Sequence, residues 1–296
     1  MASGLPGGFF GVRPSQVRRK NRINHPCRGE ALNERIDPMP SEKNTTDDLA
    51  VEIRPGVLRP DWSVVTTSAA RQALRGHVAG RSTLLEHWLQ PLDTDADLVW
   101  QSLLRLFVCV GRPPRVIEIA AESKLPALRV PEILRELERR DLIGLKPGTD
   151  LIRFAYPWTT EPSGHRVALG AHVLWALCAI DGLAAGRMYR TDASIDSACT
   201  FCAAKIYIAT GLHGCALRTM SPPEAVVWYD FAFASCAAAS CCRWITFFCS
   251  DAHLAAWLGA RSPHPAGVRL SPPEALEVGS AIFGPVLCEP VASDAA

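Results

Sequence analysis

The segment ASCCRWITFFCSDAHLAAW (residues 239–257) contains three of the eleven cysteines of the chain within nine residues. Its apolar run CRWITFFCS predicts a buried strand, and DAHLAAWLGAR after it predicts a helix with Asp251 near its cap. Free cysteines often occupy such strands as small apolar residues. Because successive side chains of a strand point to opposite faces, we expect only one of Cys241 and Cys242 to meet a ligand.

The composition is that of an ordinary globular protein, with 296 residues, 48% hydrophobic, 21% charged and a net charge of +1. This balance gives no general attraction to nucleic acid or to an anionic membrane, so neither is expected as a partner. The N-terminus lacks the apolar core of a secretory signal, and we therefore expect a cytoplasmic protein. Without export, so many cysteines indicate thiolate chemistry or metal binding rather than a disulfide framework.

One apolar stretch, VALGAHVLWALCAIDGLAAG at residues 167–186, is long enough to cross a bilayer. An aspartate near the middle of such a span costs roughly 2.5–3.5 kcal/mol, and Asp181 lies in it. The stretch is therefore interpreted as a buried core helix with one carboxylate. On that helix Cys178 and Asp181 stand at positions i and i+3, which are neighbours on one face.

The chain divides into three parts with an α+β fold. Residues 1–60 are polar and predict a disordered tail, in which Met39 is an alternative start. Residues 61–160 follow the helix, helix, turn, helix and hairpin outline of a winged-helix-like domain. DNA binding is disfavoured for it, since residues 81–157 hold eleven Arg and Lys against eleven Asp and Glu.

Residues 161–296 form the cysteine-rich α+β part. KIYIATG (205–211) predicts a strand, whereas SPPEAVVWYDFAF (221–233) and SPPEALEVGSAIFG (271–284) predict helices that begin at a serine cap and prolines. Within it, Cys199-Thr-Phe-Cys202 has the spacing of half a zinc site. No second such pair follows, and no ligand spacing is evident for the downstream histidines, so structural zinc is the less favoured interpretation.

The Cys178-Ala-Ile-Asp181 motif, Cys199, the Phe247-Phe248-Cys249-Ser250 strand and the later Ala255-Ala256-Trp257 together resemble the alkylmercury lyase family. The resemblance covers roughly residues 80–285. It implies a winged-helix-like N-terminal domain, which agrees with the neutral charge of that part. It also implies cleavage of a carbon–mercury bond by protonolysis, with release of a hydrocarbon and Hg(II) in mercury detoxification.

The resemblance also implies roles for individual residues. Cys178 and Cys242 match the two active-site cysteines, Asp181 matches the catalytic aspartate, and these three would hold the Hg(II) product. Cys199 matches a cysteine usually considered structural. The substrate would be a small organomercurial, no organic cofactor is implied, and a mercuric reductase or a thiol would accept the Hg(II). Trp244 and Thr246 depart from the family pattern. The thiols without a match in the family are Cys202, Cys215, Cys236, Cys241 and Cys249.

This chemistry suits the residue types, because soft Hg(II) prefers thiolates and a neighbouring carboxylate can transfer a proton. Two alternatives stay open. The chain could be a non-catalytic relative that sequesters Hg(II) or Cu(I), although such a protein has no use for a buried acid at Asp181. It could also be a winged-helix, metal-responsive regulator, against which the neutral charge of the helical part argues.

Overall fold

The computed structural model of the protein describes residues 51–54, 57–81 and 88–287. The alternative start at Met39 and most of the predicted tail lie outside these residues. The helices are α1 Ser68–Ala79, α2 Thr94–Val110, α3 Val116–Ser123, α4 Val130–Arg139, α5 Ala179–Tyr189, α6 Asp251–Gly259 and α7 Pro272–Phe283. The strands are β1 Val51–Arg54, β2 Val57–Arg59, β3 Ile143–Leu145, β4 Ile152–Ala155, β5 Trp158–Thr159, β6 Arg166–Leu169, β7 His172–Ala176, β8 Ala193–Ala198, β9 Lys205–Gly211, β10 Ala216–Ser221, β11 Val226–Asp230, β12 Thr246–Phe248 and β13 Gly267–Leu270.

The first described residues correct the predicted tail, because β1 and β2 pair as an antiparallel hairpin before residue 60. Helix α1 follows, capped by the side chain of Thr67, and α2 begins at the Asp93 cap. The order of α2, α3, α4 and the β3–β4 hairpin is the predicted one. The assignment of this part as a winged helix stays a prediction.

The largest sheet has eight antiparallel strands in the order β10-β9-β8-β6-β7-β5-β4-β3. It contains β3, β4 and β5 from before residue 160 as well as β6 to β10 of the cysteine-rich part. The sheet therefore continues across residue 160. Strands on both sides of the second boundary thus belong to one hydrogen-bonded sheet. The division into domains at residues 60 and 160 stays a prediction.

The predicted core helix over residues 167–186 is wrong in its first half. Residues 166–169 and 172–176 form the β6–β7 hairpin, and Gly170 turns the chain with a φ of +59°. Val167 and Leu169 are buried while Arg166 is exposed, which is the two-residue period of a strand. The helix begins only at Ala179, so Cys178 is its N-cap and not a residue on its face.

A second, three-stranded antiparallel sheet has the order β12-β11-β13. Its central strand β11 replaces the helix predicted over residues 221–233, because Val226, Val227, Trp228 and Tyr229 are β-branched or aromatic and pair on both sides. The strand predicted from CRWITFFCS is shorter than expected. Cys241–Arg243 form a 3-10 turn, and only Thr246–Phe248 pair as β12.

Helix α5 is the centre of the cysteine-rich part, and its residues are buried from Ala179 to Gly186. It packs against α7, where a Cβ on Gly279 would lie 2.9 Å from the Cβ of Ala184. Only glycine permits this approach of the two helices. Helices mixed with antiparallel sheets agree with the predicted α+β class. Within the described ranges, no helix has both the length and the apolar character needed to span a bilayer.

Candidate active site

Cys178, Asp181 and Cys242 converge at the N-terminus of α5. One ligand atom of each lies within 4.8 Å of the others. Cys178 caps the helix, and its Sγ accepts a hydrogen bond of 3.4 Å from the backbone N–H of Asp181. The Cys-Ala-Ile-Asp sequence thus places thiol and carboxyl side by side through the first helical turn. The three residues proposed from the sequence are brought together, while their chemical roles stay a proposal.

The turn that carries Cys242 is held by partners from the helical part. Asp141 accepts a 2.9 Å hydrogen bond from the N–H of Ala237, and the Tyr156 hydroxyl accepts one of 2.9 Å from Ala238. Tyr156 in turn donates to Asp141 over 3.0 Å. These buried bonds position Cys242 against the cap of α5, because they fix the loop from which its 3-10 turn begins.

Burial keeps both thiols of the site protonated near neutral pH. Cys178 is 2% exposed and Cys242 is 7% exposed. Burial raises the pKa of Cys178 to about 12, despite its place at a helix N-terminus. A hydrogen bond with Cys178, together with burial, raises the pKa of Cys242 well above its usual value. Binding a metal cation through these sulfurs therefore requires a nearby group that accepts a proton.

Asp181 is suited to accept that proton. It is 2% exposed, and its Oδ2 atom has no hydrogen-bond partner within the part of the chain that the structure describes. Burial raises its pKa from 3.8 to about 7, although its hydrogen bond with Cys178 opposes this shift. A carboxyl group with this pKa can both take up and release a proton near neutral pH.

The pocket in front of these groups has a volume of about 30 Å³. Its walls include His77, Tyr229 and Phe283, and the His77 Nδ1 lies 2.5 Å from the Tyr229 hydroxyl oxygen. One water molecule needs about 10–15 Å³ on the same measure, so a small group such as methyl fits in this cavity.

Two buried arginines, Arg59 and Arg81, also line the pocket. Burial and the positive charge of Arg81 lower the pKa of Arg59 to about 10. The Arg81 guanidinium lies 3.5 Å from the Sγ of Cys241. The sequence reasoning missed both arginines, together with His77 and Tyr229, because the fold brings them from distant segments without a local motif.

Cys241 and Cys242 differ in their contacts, but not for the predicted reason. They lie in a 3-10 turn rather than on a strand, so alternation of faces does not separate them. Both are buried. Cys242 faces Cys178, whereas the Cys241 thiol lies between Arg81 and the carbonyl oxygen of Ala237, 3.8 Å away.

Replacing Asp181 by asparagine should stabilise the protein above neutral pH. The pKa of Asp181 is higher in the folded state than in the unfolded chain, so the bound proton stabilises the folded state. This contribution is fully present below the unfolded pKa and is lost as pH rises through about 7. Thermal melting at about pH 5 and about pH 8 should show a gain in Tm that is larger at the higher pH. The exposed Asp196→Asn change is the control, and a gain independent of pH would contradict the buried, uncompensated carboxyl.

A second cluster brings together Cys199, Cys202, Cys249 and His253, whose ligand atoms also lie within 4.8 Å of one another. The sequence interpretation recognised only the first pair. The missed signal is the Cys249-x-x-x-His253 spacing, which places a thiol just before α6 and an imidazole in its first turn. Of the other unmatched thiols, Cys215 is exposed and lies 3.0 Å from a guanidinium nitrogen of Arg187, and Cys236 lies 4.0 Å from the Tyr156 hydroxyl.

Comparison with known proteins confirms the resemblance predicted from the sequence. Residues 158–284 match the model of a family described as MerB, alkylmercury lyase. The structure is similar to the mercury-bound form of MerB2, with a TM-score of 0.59 and 20% sequence identity, over 75% of this chain and 100% of that chain. No curated protein sequence matches the chain.

Proposed function

We propose that the protein cleaves the carbon–mercury bond of small organomercurials by protonolysis, as expected from the match of residues 158–284 to the alkylmercury lyase family model. The observation that carries the proposal is the buried Asp181 carboxyl, which lies within reach of two thiols and whose Oδ2 has no hydrogen-bond partner among the described residues. A soft-metal site needs the sulfurs alone, whereas bond cleavage also needs a group that delivers a proton to carbon.

The first step is transfer of the cation R–Hg⁺ to sulfur. One thiol of the Cys178 and Cys242 pair displaces the group X that accompanies the mercurial, and its proton leaves with X. The second thiol then gives its proton to the Asp181 carboxylate and binds the same mercury atom. Two thiolates on the metal increase the electron density on the carbon bound to it, which prepares that carbon for protonation.

The second step is protonation of carbon. Asp181, now a carboxylic acid, donates its proton to the carbon atom, and the electron pair of the carbon–mercury bond forms the new C–H bond. The hydrocarbon RH leaves, Hg(II) stays on the two thiolates, and Asp181 is again a carboxylate. The balance is RHgX plus two thiols giving RH, HX and the mercury dithiolate, with no redox change.

The buried arginines can stabilise the charge of the intermediate. The net charge of the site stays the same, but the negative charge moves from the Asp181 carboxylate to the mercury with its two thiolates. Arg59 and Arg81 lie in the wall of the same pocket, where the low dielectric strengthens their attraction for that charge. Their position favours thiolate formation without contacting the mercury as ligands.

Sequestration of Hg(II) or Cu(I) without cleavage is the second candidate function. The two thiols would suffice for it, and the extra cysteines of the chain are compatible with it. Asp181 favours the enzyme, because a buried carboxyl whose Oδ2 has no hydrogen-bond partner among the described residues lowers stability without contributing to a two-sulfur site. In the enzyme, a mercuric reductase or a small thiol would accept the Hg(II) product.

Methane release from methylmercury should rise with pH through about 7. Asp181 must be ionised to take the second thiol proton, and its pKa is raised to about 7. Below that value the single-turnover rate should fall about tenfold per pH unit, since each unit lowers the ionised fraction by that factor. Headspace gas chromatography of the thiol-reduced protein with limiting methylmercury measures the rate.

The same experiment distinguishes the two candidate functions. Methane with this pH profile supports protonolysis through Asp181. Methane release that is flat between about pH 5 and about pH 8 would remove the assigned role of Asp181. Tight mercury binding with no methane at any pH would make the protein a sequestering relative.

A further inference from the structure

The second thiol cluster lies outside the pocket of Cys178 and Asp181 and plays no part in the proposed cleavage. Cys199 and Cys202 come from the connection between β8 and β9, Cys249 follows β12, and His253 is in the first turn of α6. Two segments that are distant in sequence, residues 199–202 and 249–253, thus supply four donor atoms to one place.

We propose that Cys199, Cys202, Cys249 and His253 bind one Zn²⁺ ion in a tetrahedral structural site. Three thiolates with one imidazole are a donor set of closed, four-coordinate zinc sites. A tetrahedron with zinc–sulfur bonds of about 2.3 Å has edges of about 3.8 Å. The Cys202 and Cys249 sulfurs are 3.6 Å apart, and the Cys199 sulfur is 3.8 Å from the His253 Nδ1.

A third edge, between the Cys249 sulfur and the His253 Nδ1, is shorter at 2.9 Å. The sequence spacing agrees with this geometry. Cys199-x-x-Cys202 and Cys249-x-x-x-His253 are each within the range by which zinc-binding proteins space paired ligands. Each pair lies on one turn of chain, and the fold supplies the contact between the pairs.

Cys199 lies in a tight loop of the β8–β9 connection. The N–H of Ala203 donates a 2.8 Å hydrogen bond to the Cys199 carbonyl oxygen, and the N–H of Cys199 donates one of 2.8 Å to the Ala204 carbonyl oxygen. These bonds hold Cys199 and Cys202 in one turn of chain.

His253 is positioned by one backbone contact and one ring contact. Its backbone N–H donates to the Ser250 hydroxyl that caps α6, over 3.3 Å. The Phe201 ring packs against the imidazole with 5.0 Å between ring centroids. Cys199 is buried while Cys202 is exposed, so the site is anchored in the fold and still open to an entering ion.

A metal ion at this place would join the two sheets beside the active site. The eight-stranded sheet contributes the β8–β9 connection, and the three-stranded sheet contributes the end of β12. They already touch through Thr200, whose N–H donates to the Phe247 carbonyl oxygen over 3.0 Å and whose hydroxyl lies 2.6 Å from that of Thr246. Strand β12 begins four residues after Cys242, so the ion would stabilise the segment that carries this thiol.

Metal analysis by mass spectrometry of the full chain, purified with reductant and without mercury, tests the site. We expect one zinc per chain in the wild type, and a loss of at least about tenfold in Cys202→Ser and in Cys249→Ser, since each removes a thiolate ligand. Cys215→Ser is the matched control, because Cys215 is exposed and outside the cluster. It should keep the zinc, as should Cys178→Ser, which alters only the active-site thiols.

A second pair of variants keeps the test valid if the serine variants fail to fold. His253→Cys replaces the imidazole by a fourth thiolate and should keep one zinc, whereas His253→Ala should lose it. With Co²⁺ in place of zinc, the wild type should show the sulfur-to-cobalt charge-transfer absorption of a thiolate site. No mercurial is used, so the outcome is independent of the proposed cleavage.

Several results would overturn the zinc site. They are wild-type protein with no more zinc than Cys202→Ser, zinc that is lost with Cys178→Ser, or copper or iron bound in its place. A disulfide between Cys202 and Cys249 in the reduced preparation, found by thiol titration and peptide mass mapping, would also exclude it.

Discussion

Asp181→Asn should lower methane release from methylmercury by at least about 100-fold, the range for loss of a general acid–base group. The amide keeps the size and burial of the side chain, but it neither takes the second thiol proton nor delivers one to carbon. Cys178 and Cys242 remain, so the variant should still bind methylmercury. Headspace gas chromatography measures the product, and metal analysis after gel filtration measures the mercury retained.

The exposed Asp196→Asn change is the matched control, since it removes a carboxylate of the same chain at a distance from the pocket. It should release methane at the wild-type rate. The role of Asp181 would be contradicted if Asp181→Asn kept more than about a tenth of the wild-type rate. Loss of mercury binding together with activity would instead indicate that the carboxyl serves as a ligand.

Cys178→Ser and Cys242→Ser should each abolish cleavage, with a loss of at least about 1,000-fold, because residues that act as one unit cannot replace one another. A hydroxyl is a poor ligand for a soft cation, and a single remaining thiolate supplies less electron density to the metal-bound carbon. Cys241→Ser should keep most of the activity. Its sulfur lies beside Arg81, and it is not part of the cluster formed by Cys178, Asp181 and Cys242.

The two neighbouring thiols, Cys241 and Cys242, give the most discriminating comparison, since both are buried in the same turn. Methane release and mercury binding should be followed in both variants under identical reducing conditions. If Cys241 proved essential and Cys242 dispensable, the contact of Cys178 with Cys242 would not be the reacting pair. Equal, complete losses in the two variants would indicate a requirement for the turn rather than for one sulfur.

Elements with strong local signals were predicted well from the sequence. Helices α6 and α7 and strand β9 match the segments assigned by periodicity and caps. The two Ser-Pro-Pro-Glu-Ala segments show where local signals fail. The second opens α7, whereas the first leads into β11, because β-branched and aromatic residues follow it and pair with strands on both sides.

The error at residues 167–186 has a similar cause. An apolar run of this length fits either a helix or a buried hairpin, and only the partner strands β5 and β8 decide between them. The helix that does form starts at Ala179. Its late start changes the meaning of the Cys-Ala-Ile-Asp motif, since Cys178 becomes a cap whose sulfur accepts the N–H of Asp181.

The candidate site was predictable only in part. Cys178, Asp181 and Cys242 came from the family resemblance, and the reasoning for choosing Cys242 assumed a strand that is a turn. The raised pKa of Asp181 depends on burial under segments far away in the sequence. No local sequence pattern predicts the arginines that line the pocket. The Cys249 and His253 pair, by contrast, has a readable spacing and needed only the fold to bring it to Cys199.

The most direct test of the central claim is a single turnover of methylmercury by the wild-type protein in D₂O. If Asp181 delivers a solvent-exchanged proton to carbon, the gas released is monodeuterated methane, in equal amount to the Hg(II) that stays on the protein. Cys178→Ser, run alongside, should release none. Methylmercury bound intact by the wild type, with no methane in the headspace, would contradict protonolysis and leave a protein that only binds the metal.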